Sequence, residues 1–174
     1  MLKRLIVMLV LAAGLLAARP ATAAGVLYLQ IPGVTGPVTT AGFTGAIEVL
    51  SFSMGVQAPG TAPKGKQLGG EICSDLAVQK LVDQTSPILF QHTVFGFFYK
   101  NVTLTFLTPA GGTFGQVYQL VLNNAAIQSV DESGASEIPS ESVSFKASSW
   151  TVTYWPALPT GQPGSPVTTT VTCQ

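Results

Sequence analysis

The feature that most constrains the fold is an alternation of apolar and polar residues with a period of two, which recurs along the chain. Leu76, Val78 and Lys80 share one phase of it, and Val102 and Leu104 share another farther on. Successive side chains of a strand point to opposite faces of a sheet, so this alternation is typical of half-buried β-strands. The segments predicted as strands are 25–31, 45–57, 72–81, 101–106, 116–122, 123–130, 142–155 and, as a short extra strand, 167–173.

Two of these strands change phase along their length. In segment 45–57 the apolar residues Ile47 and Val49 are odd-numbered, whereas Leu50 and Phe52 are even-numbered. Such a shift predicts a bulge or bend near Leu50 and Ser51. Segment 142–155 shifts in the same way between residues 147 and 150. Bent strands at short spacing predict an all-β, mainly β fold, a compact antiparallel β-barrel or sandwich.

One convincing helix signal interrupts the strands. Ser86 stands in the position of an N-cap, Pro87 follows at the first helical position, and Gly96 comes just after the apolar run. Serine at the cap, proline inside the start and glycine past the end are the usual helix boundaries. The sequence therefore predicts one short helix that flanks the sheet.

The first 23 residues have the three parts of a secretory signal peptide. Lys3 and Arg4 precede an apolar run of 14 residues, and Ala21 and Ala23 form a small-residue cleavage pattern. A membrane anchor is the competing interpretation, but a spanning helix needs about 20 residues. We expect a cleaved signal peptide (1–23), one barrel domain (24–156) and a Pro/Gly/Thr-rich extension (157–174), with no stable membrane span after cleavage. The protein is then periplasmic or secreted.

Cys73 and Cys173 are an even pair, 100 residues apart. An exported chain enters an oxidising compartment, where cysteines usually pair, so we expect one disulfide; two unrelated thiols are the alternative. Closing a loop of that length removes about 4.7 kcal/mol of unfolded-state entropy in the chain-entropy model.

Charge is sparse, at 9% of the residues, while hydrophobic residues reach 47%. Three of the eight basic residues lie in the predicted signal, which leaves five against eight acidic ones and no basic block. Nucleic-acid binding through released counterions is therefore not expected. Buried subunit interfaces would explain the low charge, and so would an exported sandwich covered with serine and threonine.

No group of residues predicts a reaction, a metal or a cofactor. His92 is the single histidine and is expected on the helix surface, so a Ser-His-Asp arrangement cannot be built around it. The carboxylates of 131–141 lack the spacing of a calcium loop. The aromatic residues at 95 and 97–99 could stack on sugars, but most of them are expected in the core, at the junction of helix and strand. The sequence does not predict an enzyme.

Three stretches resemble the Hcp (haemolysin-coregulated protein) family of type VI secretion tube proteins. They are TGAIEVLSFSMGV at 44–56, LAVQK at 76–80 followed by DQTSPIL at 83–89, and ESVSF at 141–145 followed by TVTY at 151–154. The resemblance covers nearly the whole mature chain, from residue 28 to about 155. The second stretch, a strand, an acidic turn and a Ser-Pro helix start, is the most specific.

The resemblance implies a compact barrel with one flanking helix, six subunits in a homohexameric ring, and rings stacked into a tube inside a contractile sheath. The Gly/Pro-rich loop 58–70, with Lys64, Lys66 and Gln67, would be the inter-ring loop. The partners would be the chain itself and secreted effectors or other type VI components. An exported Hcp-like binding module acting in the periplasm or outside the cell without a contractile tube is the alternative, and a hydrolytic enzyme is a remote third.

Overall fold

The computed structural model describes residues 24–57, 73–110, 113–135, 137–160 and 162–173. The predicted signal peptide and the loop with Lys64, Lys66 and Gln67 lie outside these residues. In chain order the elements are β1 (Val26–Gln30), β2 (Ile47–Val49), β3 (Ser51–Ser53), β4 (Leu76–Leu81), α1 (Ser86–Val94), β5 (Phe98–Ala110), β6 (Thr113–Ser133), β7 (Ser140–Tyr154) and β8 (Val167–Thr172).

The strands form one antiparallel sheet that curls into a nearly closed barrel, which confirms the predicted all-β fold. The strand order is β2-β1-β5-β6-β7-β4-β3, and β8 is added beside β7. Along one edge β7 pairs with β6 over its full length. Along its other edge it pairs with β4 through residues 140–145 and with β8 through residues 149–154. The tail after residue 157 thus contributes a strand to the same sheet.

The predicted bend at Leu50 is present and brings the two ends of the sheet together. Before it, β2 pairs with β1; after it, β3 pairs with β4. The Leu50 N–H still donates to Gln79 O at 2.7 Å, while the Leu50 side chain is 57% exposed. Because β1 and β4 lie toward opposite ends of the strand order, the change of partner at one residue joins them. The phase shift in the sequence therefore marks the point at which the barrel closes between β1 and β4.

A second irregularity lies in the middle of β6 and β7. On β7 the buried residues change from Phe145 and Ala147 to Trp150, as the sequence pattern predicts. On β6, Asn124 has a positive φ of 49°, and its Nδ2 donates to Ser148 Oγ at 3.2 Å. Asparagine tolerates this left-handed backbone because its short amide bonds locally. The predicted strands 116–122 and 123–130 are one continuous strand, since pairing resumes on both sides of this residue.

The start of α1 differs from the prediction. The helix begins at Ser86, Thr85 occupies the N-cap position, and the cap makes no side-chain hydrogen bond; Pro87 lies in the first turn, as expected. The Ser86 hydroxyl is not available as a cap because it is engaged inside the barrel. At the other end, Gly96 has a φ of 62°, a conformation that glycine adopts without strain. The predicted end of the helix is correct.

The core fills the barrel and extends under α1. Leu89 is the buried hydrophobic residue of the helix, and it packs in the same cluster as the inward residues of the strands. Full burial of one such side chain contributes about 1.5–3 kcal/mol. The completely buried apolar residues are Leu29, Ala46, Ile47, Leu76, Val78, Leu89, Val102, Leu104, Leu120, Leu122, Ala125, Val143 and Phe145.

Candidate functional site

A set of polar side chains lies inside the barrel beneath the start of α1. We call Lys80, Asp83, Ser86 and Glu141 the buried polar cluster. Lys80 on β4 and Glu141 on β7 are direct neighbours in the sheet register, and both are 0% exposed. The Lys80 Nζ lies 2.7 Å from Glu141 Oε2, which makes a buried ion pair. Burial of two charges is tolerated only when they are paired closely and hydrogen-bonded.

The helix start completes this cluster. Ser86 Oγ donates to Glu141 Oε2 at 2.6 Å and accepts from Lys80 Nζ at 3.2 Å. The Asp83 N–H donates to the same hydroxyl at 3.2 Å, and Asp83 Oδ1 lies 3.3 Å from Lys80 Nζ. Strand β4, strand β7 and α1 are therefore joined by one network. Its members belong to the sequence stretches that carry the family resemblance.

Lys80, Ser86 and Glu141 are closed to solvent, while the Asp83 side chain at the rim is 20% exposed, so the cluster has the geometry of a structural contact. Glu141 Oε1 has no hydrogen-bond partner among the described residues, although the atom is buried. A substrate cannot reach Lys80 or Glu141 while the barrel is closed around them. The sequence contained a usable signal for both: Lys80 follows Leu76 and Val78 in the buried phase, and Glu141 precedes Val143 in the buried phase of β7.

The opposite end of α1 presents an exposed apolar surface. We call Phe90, Val94, Phe95, Phe97 and Phe98 the aromatic corner; it covers the last turns of α1 and the first residue of β5. Their side chains are 40%, 80%, 70%, 51% and 77% exposed, respectively. The expectation that most of the aromatic residues at 95 and 97–99 are buried is wrong, since of these four only Tyr99, at 4% exposed, is buried. Phe97 stacks on His92, whereas Phe98 lines the cavity that Cys73 and Cys173 border, so the exposed side chains extend over more than one face.

His92 contacts this corner through Phe97 and also contacts Tyr99. Its ring stacks on Phe97 with centroids 4.3 Å apart and planes 13° apart. The His92 Nδ1 lies 2.7 Å from the Tyr99 hydroxyl oxygen. Burial raises the pKa of Tyr99 to about 12, so this hydroxyl keeps its proton at neutral pH and can donate to Nδ1. His92 thus positions Phe97, and it is more buried than the surface location that we expected.

The structure contains the expected disulfide between Cys73 and Cys173, whose Cα atoms are 5.2 Å apart. It connects the chain just before β4 with the chain just after β8. A cavity of about 360 Å³ lies beside it, lined in part by Phe98, Asp75 and Trp150. Trp150 is 1% exposed, and its Nε1 has no acceptor among the described residues.

We also searched the described residues for a metal site, an acidic cluster and a membrane-spanning helix. They contain no group of three or more histidine, cysteine or acidic side chains placed to hold a metal ion. Asp131, Glu132 and Glu137 are exposed. No helix within the described ranges is long and apolar enough to cross a membrane.

The chain matches known proteins both in sequence and in fold. A family model described as "Type VI secretion system effector, Hcp" matches residues 28–154. No curated protein matches the chain in sequence. Among solved structures, Hcp1 from Salmonella typhimurium superimposes with a TM-score of 0.71 at 20% identity, over 86% of this chain and 95% of that chain.

Two further structures agree. A structure described as that of a type six secretion system protein has a TM-score of 0.71 at 26% identity, over 83% of this chain and 92% of that chain. The secreted protein Hcp3 from Pseudomonas aeruginosa has a TM-score of 0.65 at 19% identity, over 87% of this chain and 99% of that chain. The sequence match spans both strands of the buried ion pair, α1 and the aromatic corner. The chain therefore belongs to the Hcp family of type VI secretion system proteins.

Proposed function

We propose that this protein is a structural, ring- or tube-forming subunit that acts after export, in the periplasm or outside the cell. Hcp proteins are structural, secreted type VI components that form rings with themselves. The sequence of residues 1–23, which is predicted to be a cleaved signal peptide, supports export. Secreted effectors or other type VI components are the further partners that this proposal implies.

The observation that carries the proposal is the aromatic corner. Five large apolar side chains stay 40% or more exposed at one end of α1, next to a well-filled core. The free energy of burying apolar surface is about 25 cal/mol per Å², so contact with another subunit offers a gain that the isolated subunit lacks. The chain is also poor in charge, at 9% of residues. Both features favour self-association of the protein.

The test is the mass of the mature protein in solution, measured by size-exclusion chromatography with light scattering over a range of concentrations. We expect a defined oligomer that loses mass when Phe95 and Phe98 are both changed to serine. Leu158→Ser, at a side chain 47% exposed in the tail, is the matched control and should leave the mass unchanged. A parent protein that is monomeric at high concentration would contradict the proposal.

An exported Hcp-like binding module is the second candidate, and the cavity beside the disulfide favours it. The cavity volume of about 360 Å³ is within the usual range for small-molecule sites. Trp150, whose buried Nε1 has no acceptor among the described residues, is one of the lining residues. A monomeric protein whose Trp150 fluorescence responds to ligands would support this function over assembly.

A further inference from the structure

A second group of exposed apolar side chains lies where the barrel closes, away from the aromatic corner. Leu50, Leu81 and Ile138 are 57%, 44% and 65% exposed, respectively. They come from three separate segments: the bend between β2 and β3, the end of β4 and the loop before β7. All three line one cavity of about 280 Å³. We call this cavity the acidic groove; its lining includes Glu48, Leu50, Leu81, Val82, Asp83 and Ile138.

Backbone hydrogen bonds fix the walls of the acidic groove. The Leu50 N–H donates to Gln79 O at 2.7 Å, which holds the bend against β4. The Val82 N–H donates to Pro139 O at 2.9 Å, which holds the end of β4 against the chain before β7. The apolar side chains are therefore presented from fixed backbone positions. A preformed surface lowers the entropy cost of binding a partner.

The acidic groove lies at one end of β4, and residues 58–72 connect to the other end. The described chain on either side of that segment, at Val56 and Cys73, forms a bridge beyond the far ends of β3 and β4. A strand rises about 3.3 Å per residue, so the chain from Cys73 to Leu81 spans roughly 25 Å. Neither Val56 nor Cys73 lines the groove.

The acidic groove carries uncompensated negative charge. Glu48 is exposed and has no ion pair among the described residues. Asp83 shares Lys80 with Glu141, so one buried cation faces two carboxylates and the three side chains keep a formal charge of −1. This excess reaches the surface at Asp83, whose side chain is 20% exposed. No lysine or arginine is among the described residues that line the groove.

We propose that the acidic groove binds a cationic, amphipathic segment of a partner protein, in which lysine or arginine stands next to apolar side chains. The apolar side chains fill the cavity between Leu50, Leu81 and Ile138, and the cations face Glu48 and Asp83. Small-molecule sites usually have about 300–1,000 Å³, so this smaller cavity fits one or two protein side chains better than a whole ligand. The inference goes beyond the proposed function, because the partner is a protein of different sequence.

The test uses the protein purified after export and a fluorescent peptide with blocked ends, of sequence Gly-Lys-Leu-Ile-Lys-Gly. The counterpart Gly-Glu-Leu-Ile-Glu-Gly keeps the apolar pair and reverses the charge. Fluorescence anisotropy at low salt should show binding of the cationic peptide that is about tenfold tighter or more. The ratio should shrink at high salt, because exposed charges are screened. Equal binding of the two peptides, or no binding of the cationic peptide at millimolar concentration, would overturn the inference.

Two variants locate the binding. Ile138→Ser removes an exposed apolar wall and should weaken binding of the cationic peptide about fivefold or more. Glu48→Gln removes one carboxylate and should weaken it about two- to fivefold. The matched controls are Val167→Ser, at a side chain 69% exposed on β8, and Asp131→Asn, at an exposed carboxylate on β6. Both controls should bind like the parent, and all four variants should keep the parent melting temperature. Unchanged binding in Ile138→Ser would mean that the peptide binds elsewhere, and the inference would fail.

Light scattering on the same variants separates this inference from the proposed function. The oligomer mass of Ile138→Ser and Glu48→Gln should equal that of the parent. A lower mass would identify the acidic groove as a contact between copies of this chain, which overturns the inference and leaves assembly standing. A monomeric parent that still binds the cationic peptide would contradict the proposed function and support the inference.

Discussion

The two ends of α1 lie in opposite environments. At its first residue, Ser86 bonds to Lys80 and Glu141, which are charged and completely buried. At its end, Val94 and Phe95 are apolar, yet 80% and 70% exposed. Each end reverses the usual distribution of polar and apolar groups. Buried charge is acceptable where the sheet register holds both partners together, and exposed apolar surface is expected where a partner subunit contributes the remaining contact.

Removing one charge from the buried polar cluster should have the largest effect on stability. Lys80→Met leaves the Glu141 carboxylate buried without its cation, which costs about 3–5 kcal/mol when a buried pair is broken. Urea denaturation should show this loss. The double variant Lys80→Met with Glu141→Leu should recover much of it, because no unpaired charge remains. Lys100→Met, at an exposed lysine, is the control and should change stability by about 0.5 kcal/mol or less.

Removing the disulfide should lower the stability by a smaller amount, and it should act mainly on the unfolded state. Changing Cys73 and Cys173 together to serine should destabilise the protein by about 2–4 kcal/mol, mainly because the unfolded chain gains freedom; the loss stays below the chain-entropy value of about 4.7 kcal/mol because the unfolded chain retains some structure. Hydrogen exchange should show faster opening of β8 than of β6, since β8 buries little. If β8 keeps its full protection without the disulfide, its pairing with β7 is enough to hold it.

The buried member of the aromatic sequence, Tyr99, should affect stability only at high pH. Burial raises its pKa to about 12 from the ordinary value of 10.0. The unfolded state therefore loses this proton before the folded state does, and stability falls as the pH rises from about 10 to 12. Thermal unfolding of Tyr99→Phe should have a weaker pH dependence in that window. An identical slope in both proteins would mean that Tyr99 does not control it.

The smallest stability effect should come from the aromatic corner, although its effect on assembly is large. Changing Phe95 and Phe98 to serine removes apolar groups that water already reaches, so the free energy of unfolding of the subunit should change by about 0.5 kcal/mol or less. The oligomer mass should fall in the same preparation. A large loss of subunit stability would mean that these side chains serve the fold, and the contrast between the two ends of α1 would no longer hold.

Some aspects of the buried polar cluster could be predicted from the sequence, and others could not. The phase of Lys80 on β4 and of Glu141 on β7 places both side chains on inward faces. Their pairing could not be read, because the residues are 61 positions apart and become neighbours only through the β4 and β7 register. Ser86, which the sequence predicts as the helix cap, instead donates a hydrogen bond to Glu141.

What the sequence determined by itself is local: the strand segments, the bends at Leu50 and in β7, the end of α1 at Gly96, and the type of fold. These follow from side-chain alternation and backbone preference, which act over a few residues. Only the tertiary structure decided that residues 95, 97 and 98 are exposed and that β8 lies beside β7. Exposure depends on what covers a residue, and that is set by contacts between segments far apart in the chain.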